Sequence, residues 1–220
     1  MNRKVMWYTN NQFWTPHAVY RWGHRLTNLF CKTFGRLEAQ GLHHIPREGG
    51  VLFVSNHVSF LDPVIVGSAA NREVHYMARS TSFDIPLLGK LIAAYNAYPV
   101  NRGAADLKAL RNTISLLKDG NAVLMFPEGT RSVDGKLGKA RDGACFIAHH
   151  AGVPTIPVFH KGSEHMLPRN SKRLRRTQLR VTFGAPLELK VAEFETKREM
   201  YQQMGEQMMA AIANLRDTMS

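Results

Sequence analysis

The sequence predicts an α/β fold: a mixed, largely parallel sheet of about seven strands with helices on both faces, preceded by an N-terminal amphipathic helical segment. Three observations carry this reading. Short apolar runs alternate with longer helical patterns through most of the 220 residues, which is the rhythm of strand–crossover–strand units. Two of the runs, 51–54 (VLFV) and 122–125 (AVLM), are apolar at every position, as strands covered on both faces by helices are. Each of these two runs leads straight into a polar stretch, Ser55-Asn56-His57 in one case and PEGTRS in the other. That is the strand edge at which open α/β sheets bind their ligands.

Residues 1–35 are unlike the rest. They hold all three tryptophans, Trp7, Trp14 and Trp22, together with Tyr8, Phe13, Tyr20, Phe30 and Phe34. Thr15-Pro16 is a helix start and Gly35 a stop. Between them Val19, Trp22, Leu26, Leu29, Phe30 and Phe34 recur at helical spacing, with Arg21, His24, Arg25, Asn28 and Lys32 largely on the other side. A basic amphipathic helix with interfacial aromatics suits a membrane surface. It equally suits a helix packed on its own domain or in a dimer. The expected organisation is a membrane-associating segment, 1–35, and one α/β domain, 36–220.

Within that domain, 36–45 reads as a strand broken by Gly41, and Glu48-Gly49-Gly50 as a turn. A short helix is expected over 63–70 and a strand over 73–78. The stretch 80–90 is an apolar loop or short helix, either covering the core or roofing a groove. A short strand over 98–101 precedes a clear helix, 104–118, with Leu107, Leu110, Ile114 and Leu117 inward and Gly120 as its stop. The next helix, 143–150, closes on His149-His150, read as a C-terminal cap. Strands over 155–159 and 179–183 follow, then a helix over 193–217 whose Met204, Met208 and Ile212 read as core packing.

Composition narrows the function. The formal net charge of +12 favours an anionic partner: a phospholipid surface, a nucleic acid or an acidic carrier protein. Nucleic acid is disfavoured, because no zinc, helix-turn-helix or RNA-recognition motif accompanies the charge. Between 161 and 180, Lys161, Arg169, Lys172, Arg173, Arg175, Arg176 and Arg180 face Glu164 alone, a solvated basic face or a headgroup site. Cys31 and Cys145 lack metal-type spacing and read as buried free thiols in a reducing compartment. No Cys/His cluster offers a metal site, and no cofactor is expected. Residues 1–10 have no secretory apolar core, and no run of 18 apolar residues suggests a membrane span.

The chemistry is concentrated in two stretches. In 51–62 (VLFVSNHVSFLD), His57 stands at the end of a strand and Asp62 follows five residues later. An imidazole held by a carboxylate is the general-base half of a nucleophile-activating system. No protein nucleophile stands beside it, so the base is expected to act on a substrate hydroxyl. The competing reading makes Asp62 an N-cap with Pro63 at the first helical position. In 126–132 (FPEGTRS), Arg131 and exposed backbone N–H groups around Gly129 suit a phosphate. A plain turn with a Glu128–Arg131 surface pair is the alternative.

Together, His57-Val58-Ser59-Phe60-Leu61-Asp62 and Phe126-Pro127-Glu128-Gly129-Thr130-Arg131-Ser132 resemble the first and third blocks of the glycerolipid (lysophospholipid) acyltransferase family. Tyr98-Pro99-Val100-Asn101-Arg102 resembles its second block and Val153-Pro154-Thr155-Ile156-Pro157-Val158 its fourth. All four occur in family order, within roughly residues 36–190. The resemblance implies an O-acyltransferase of the 1-acylglycerol-3-phosphate type, working in phospholipid biosynthesis. Its donor would be an acyl carrier protein or CoA thioester and its acceptor a lysophospholipid, with lysophosphatidic acid giving phosphatidic acid. His57 and Asp62 would be catalytic. Arg102 and Arg131 would hold the acceptor phosphate, with Glu128, Gly129 and Thr130 completing the binding loop. The expected location is the cytoplasmic face of the cell membrane, peripheral or monotopic, on an anionic surface. Another lysolipid acceptor, or hydrolysis of the thioester by water, remain alternatives; no Gly-x-Ser-x-Gly nucleophile elbow favours a hydrolase.

Overall fold

A strand buried on both faces belongs at the centre of a sheet, and Val51–Ser55 takes that place with every residue buried. The computed structural model describes residues 17–101, 106–171, 173–189 and 196–219. In chain order the elements are α1 (His17–Thr33), β1 (Glu38–Gln40), β2 (Val51–Ser55), α2 (Asp62–Ala69), β3 (Val74–Arg79), α3 (Leu88–Ala94) and β4 (Ala97–Val100). There follow α4 (Leu107–Lys118), β5 (Ala122–Met125), α5 (Asp142–Ala151), β6 (Thr155–Lys161), α6 (Ser163–Met166), β7 (Arg180–Phe183) and α7 (Lys197–Thr218). The seven strands form one sheet in the order β1-β7-β6-β2-β5-β3-β4. Only β6 and β7 pair antiparallel, so the sheet is mixed and largely parallel, as the alternation of strands and helices predicts.

Successive residues of β2 point to opposite faces and separate two cores. Val51 and Phe53 join Ile65 and Val66 of α2, with Cys31 of α1, on one face. Leu52 and Val54 join Leu117, Ile147, Met204, Met208 and Ile212 of α4, α5 and α7 on the other. The methionine stripe is therefore core. Cys31 and Cys145 are free and buried, and burial pushes the Cys145 thiol up to about 11. Local chemistry fixes the helix ends. Asp106 accepts the Ala109 N–H at the start of α4, and Thr196 with Glu199 forms a reciprocal capping box on α7. His149 and His150 close α5 in the open, with His150 Nδ1 bonded to the Phe146 carbonyl.

Four expectations change. On α4, Leu110, Ile114 and Leu117 pack inward as expected, but Leu107, in the first turn, is 52% exposed. The strand over 36–45 shrinks to β1 and a 3-10 turn (Leu42–His44), because Gly41 takes φ +72° and ends the ladder. Over 80–90 only part of the apolar stretch covers the core: Phe83 packs inward, while Ile85, Leu87 and Leu88 stand exposed, as does Leu91 beyond them. Asp62 is not the cap of α2. Leu61 holds that position, Asp62 and Pro63 begin the helix, and the carboxylate reaches back over the preceding turn.

Helix α1 docks through its polar side. His24 Nε2 bonds to the Gly67 carbonyl at 3.0 Å, and Asn28 Nδ2 donates to the Ser68 carbonyl at 2.6 Å. Tyr20 and Cys31 are buried, and Tyr20 Oη accepts the Val74 N–H. The apolar stripe faces outward instead: Trp22, Leu26 and Leu29 are 63%, 66% and 59% exposed. Trp7, Tyr8, Phe13, Trp14 and the helix start at Thr15-Pro16 lie outside the described residues. Among the described residues, no helix is long and apolar enough to cross a membrane.

Candidate active site

β2 and β5 are neighbours, with Val54 opposite Met125, so the segments leaving their C-terminal ends open side by side. The first delivers His57. The second delivers residues 126–132. They are joined directly, because Ser132 N–H donates to the His57 carbonyl at 2.8 Å. The His57 ring lies flat on Phe126, with ring centroids 3.9 Å apart and planes 13° apart. That stack restricts the ring to the orientation its carboxylate partner needs.

The partner is Asp62. His57 Nδ1 lies 2.7 Å from Asp62 Oδ2, and a carboxylate can only accept, so Nδ1 carries the proton and Nε2 presents its lone pair. Oδ2 also accepts the backbone N–H groups of Val58 and Ser59, both at 2.7 Å, and Oδ1 accepts the Ser163 hydroxyl at 2.6 Å. Asp62 is wholly buried, and burial alone would raise its carboxyl. The neighbouring His160, the His57 bond and the Ser163 hydroxyl outweigh that penalty and hold it below its ordinary value. It is thus an ionised carboxylate in a dry setting, committed to orienting His57.

The second segment is built around Gly129. Its φ of +68° is a left-handed conformation, and a Cβ there would meet Arg141 Cδ at 2.8 Å. Arg141 clamps the loop through its N–H to the Pro127 carbonyl and its Nε to the Glu128 carbonyl. Glu128 is buried, and its Oε2 accepts the Gly138 N–H at 3.1 Å. Oε1 is buried without a hydrogen bond of full geometry, although the His57 backbone and ring lie close enough to act on the carboxylate. Burial raises the Glu128 carboxyl, and those neighbours only partly offset it. Arg131 spreads its guanidinium over the exposed Phe60 ring, 3.5 Å from the centroid. Thr130 is exposed at the tip. The structure therefore brings together His57, Asp62, Glu128, Gly129, Thr130 and Arg131. Arg102 lies outside the described residues.

Three participants were not singled out by sequence reasoning. Ser163 and His160 lie about a hundred residues beyond the segment they serve. Asn56 links them to it: its Nδ2 donates to the His160 carbonyl and its Oδ1 accepts the His160 N–H, both at 3.0 Å. The available signal was the polar His160 near the end of an otherwise apolar strand, a pattern close to the one that marks His57.

Fold and site together define an α/β protein with a carboxylate-held base beside a glycine- and arginine-bearing loop. The chain belongs to the acyltransferase family: the family profile described as Acyltransferase matches residues 36–161. A chloroplastic 1-acyl-sn-glycerol-3-phosphate acyltransferase of Brassica napus is 32% identical over 158 residues, covering 70% of this chain and 46% of that protein. The chain spans about half the length of such plant relatives. The 1-acyl-sn-glycerol-3-phosphate acyltransferase of Bacillus subtilis is 26% identical over 172 residues, covering 77% of this chain and 82% of that protein. The crystal structure of the 1-acyl-sn-glycerophosphate acyltransferase from Thermotoga maritima matches with a TM-score of 0.67, over 91% of this chain and 79% of the other, at 24% identity. That likeness speaks for the fold.

Proposed function

We propose that this chain transfers a fatty acyl group from an acyl carrier protein or CoA thioester to the free hydroxyl of a lysophospholipid. The acceptor it suits best is 1-acyl-glycerol-3-phosphate, with phosphatidic acid as product. One observation carries the reading. His57 is held by Asp62 at 2.7 Å, yet among the described residues no hydroxyl or thiol bonds to its Nε2. A base so prepared and lacking a protein nucleophile takes its nucleophile from the substrate.

His57 Nε2 removes the acceptor hydroxyl proton as that oxygen attacks the thioester carbonyl. Asp62 stabilises the imidazolium without taking the proton. The tetrahedral oxyanion collapses, the C–S bond breaks, and the thiolate leaves with the proton returned by His57. The N–H groups of Gly129 and Ser132 are engaged within the protein, so the oxyanion donor comes from the loop's other N–H groups. Arg131 and Arg102 bind the acceptor phosphate, while Glu128 holds the loop that carries Arg131. The names borne by the Brassica and Bacillus relatives support this acceptor.

Assay of free thiol release with and without lysophosphatidic acid tests the reaction. Acceptor-dependent release with phosphatidic acid formed is expected. Equal release without acceptor makes the protein a thioester hydrolase. Arg131→Ala should raise acceptor KM about 10- to 150-fold, the equivalent of a charge-assisted hydrogen bond of roughly 1.5–3 kcal/mol. A change confined to donor KM would move Arg131 to the carrier or CoA side.

The same proposal seats the enzyme on the anionic cytoplasmic membrane surface through its N-terminal segment. The outward stripe of α1, with Arg21, Arg25 and Lys32 exposed around it, supports this, as do exposed Ile85, Leu87 and Leu91 near the adjoining α3. The exposed arginines of the 161–180 run add attraction to anionic headgroups. Binding to anionic vesicles should weaken with salt without vanishing, since only the charged contribution is screened. Replacing Trp22, Leu26 and Leu29 together by Ser should reduce vesicle partitioning about 10- to 100-fold and leave the fold intact, because all three side chains are mostly exposed and none belongs to the buried core. Unchanged partitioning would assign the stripe to contacts between proteins.

A further inference from the structure

His160 is the last buried residue of β6, one before its end, and lies beneath the His57–Asp62 pair. Its Nε2 is 2.9 Å from the Asn56 carbonyl, which can only accept, so Nε2 bears the proton. That carbonyl belongs to the peptide that carries His57. Nε2 also lies 3.7 Å from Asp62 Oδ2, beyond a hydrogen bond but within electrostatic reach in a dry site. Nδ1 is buried with no hydrogen-bond partner among the described residues. A purely structural filler here would leave no nitrogen stranded. The ring's retained polar function is at Nε2, on the side of the base.

We infer that His160 is a positioning residue for the base, holding the Asn56–His57 peptide through its Nε2–H and keeping the positive edge of its ring within electrostatic reach of Asp62, so that it moderates the pull of that carboxylate on His57. The backbone supports the same arrangement, because the Asn56 amide and the His160 peptide bond reciprocally and fix β2 against β6 at this level. The titratable groups facing the pair are few. His57 and Asp62 come from the segment after β2, His160 from β6, and Glu128 from the loop after β5. Arg131, from that same loop, stacks on Phe60. Without the His160 N–H, the Asp62 charge acts on His57 with less opposition and favours the imidazolium. The acid limb of the rate profile then moves to higher pH.

The inference rests on the general-base reading, and the experiment separates the two. Three variants of the full chain are compared with the wild type: His160→Gln, His160→Asn and His57→Ala. The Gln amide nitrogen can occupy the place of Nε2, whereas the shorter Asn amide cannot reach it. The measurement is kcat/KM for thioester turnover with lysophosphatidic acid from pH 5 to 9. The expected result for His160→Asn is an acid limb raised by about half a pH unit or more, with acceptor KM little changed. His160→Gln keeps the wild-type limb. An unshifted limb in His160→Asn, or the same shift in His160→Gln, overturns the inference while leaving the base intact. Full activity in His57→Ala would remove the general-base reading itself. Both His160 variants are polar, so a folding defect common to both gives an equal loss at every pH and also overturns the inference.

Discussion

His57→Ala should stay folded and lose acyl transfer by on the order of 10²–10⁴ in kcat, the usual weight of a positioned general base. Nε2 is the only nitrogen of the His57 ring free to take a proton, and among the described residues no second imidazole shares that position. The fold should tolerate the change. The side chain is 15% exposed, and its removal takes one of four donors from Asp62, leaving Val58 N–H, Ser59 N–H and Ser163 Oγ in place. Acceptor KM should move little, since Arg131 and the 126–132 loop are untouched, so the loss belongs to kcat. Rate and stability are separated by pairing single-turnover kinetics with urea unfolding. A folded variant with wild-type kcat would exclude His57 as the base.

Much of this site was legible because its two stretches each obey a local rule. VLFV and AVLM are apolar throughout, so they read as central parallel strands, and whatever follows such strands lies at one edge of the sheet. That alone placed His57 and Arg131 on the same side. The family blocks then gave the roles their expected names. His160 and Ser163 were not legible for a physical reason. Their contact with Asn56 and Asp62 depends on β6 lying against β2, a pairing across about a hundred residues that periodicity does not encode. The role of Asp62 was ambiguous for the opposite reason: two local rules fit it. Asp-Pro is a sound helix start, and the helix does begin there, but the cap position falls on Leu61 and frees the carboxylate for His57.

Helix α1 shows where hydropathy patterning misleads. An amphipathic period reveals that a helix has two faces without saying which one meets the protein. Here the docking face is satisfied by hydrogen bonds. The carbonyls of Gly67 and Ser68, in the last turn of α2, take donors from His24 and Asn28. Tyr95 Oη adds a bond to Thr27 Oγ1 at 2.9 Å. Apolar side chains could not meet those unpaired carbonyls, so the polar side turns inward and the aromatic side is left outside. Residues 17–33 are consequently part of the fold as well as the membrane-facing candidate, and deleting them would test stability before it tested docking. Surface substitutions at Trp22, Leu26 and Leu29 avoid that confusion.

Asp62→Asn should abolish most turnover while preserving the shape of the site. The amide oxygen can still accept from His57 Nδ1, and the amide nitrogen can donate to the Ser163 hydroxyl in place of accepting from it. What disappears is the charge that stabilises the imidazolium in the transition state, and the loss of kcat should be on the order of 10²–10⁴. Stability should fall by about 1–3 kcal/mol at neutral pH, because donors that shared an ionised acceptor now share a neutral one. The pH dependence follows from the direction of the Asp62 shift. Its carboxyl is lowered in the folded protein, so the unfolded chain binds the proton more readily, and the contribution is fully present above the unfolded value of about 3.9. It is lost as pH falls through the folded value. The stability difference between wild type and Asp62→Asn should therefore be present at pH 7 and should shrink as pH is lowered below about 4. Urea unfolding at pH 7 and pH 3 measures both limits. A difference undiminished at pH 3, or a variant with full kcat, would mean that Asp62 serves as a neutral helix-start residue and leaves His57 without an electrostatic partner.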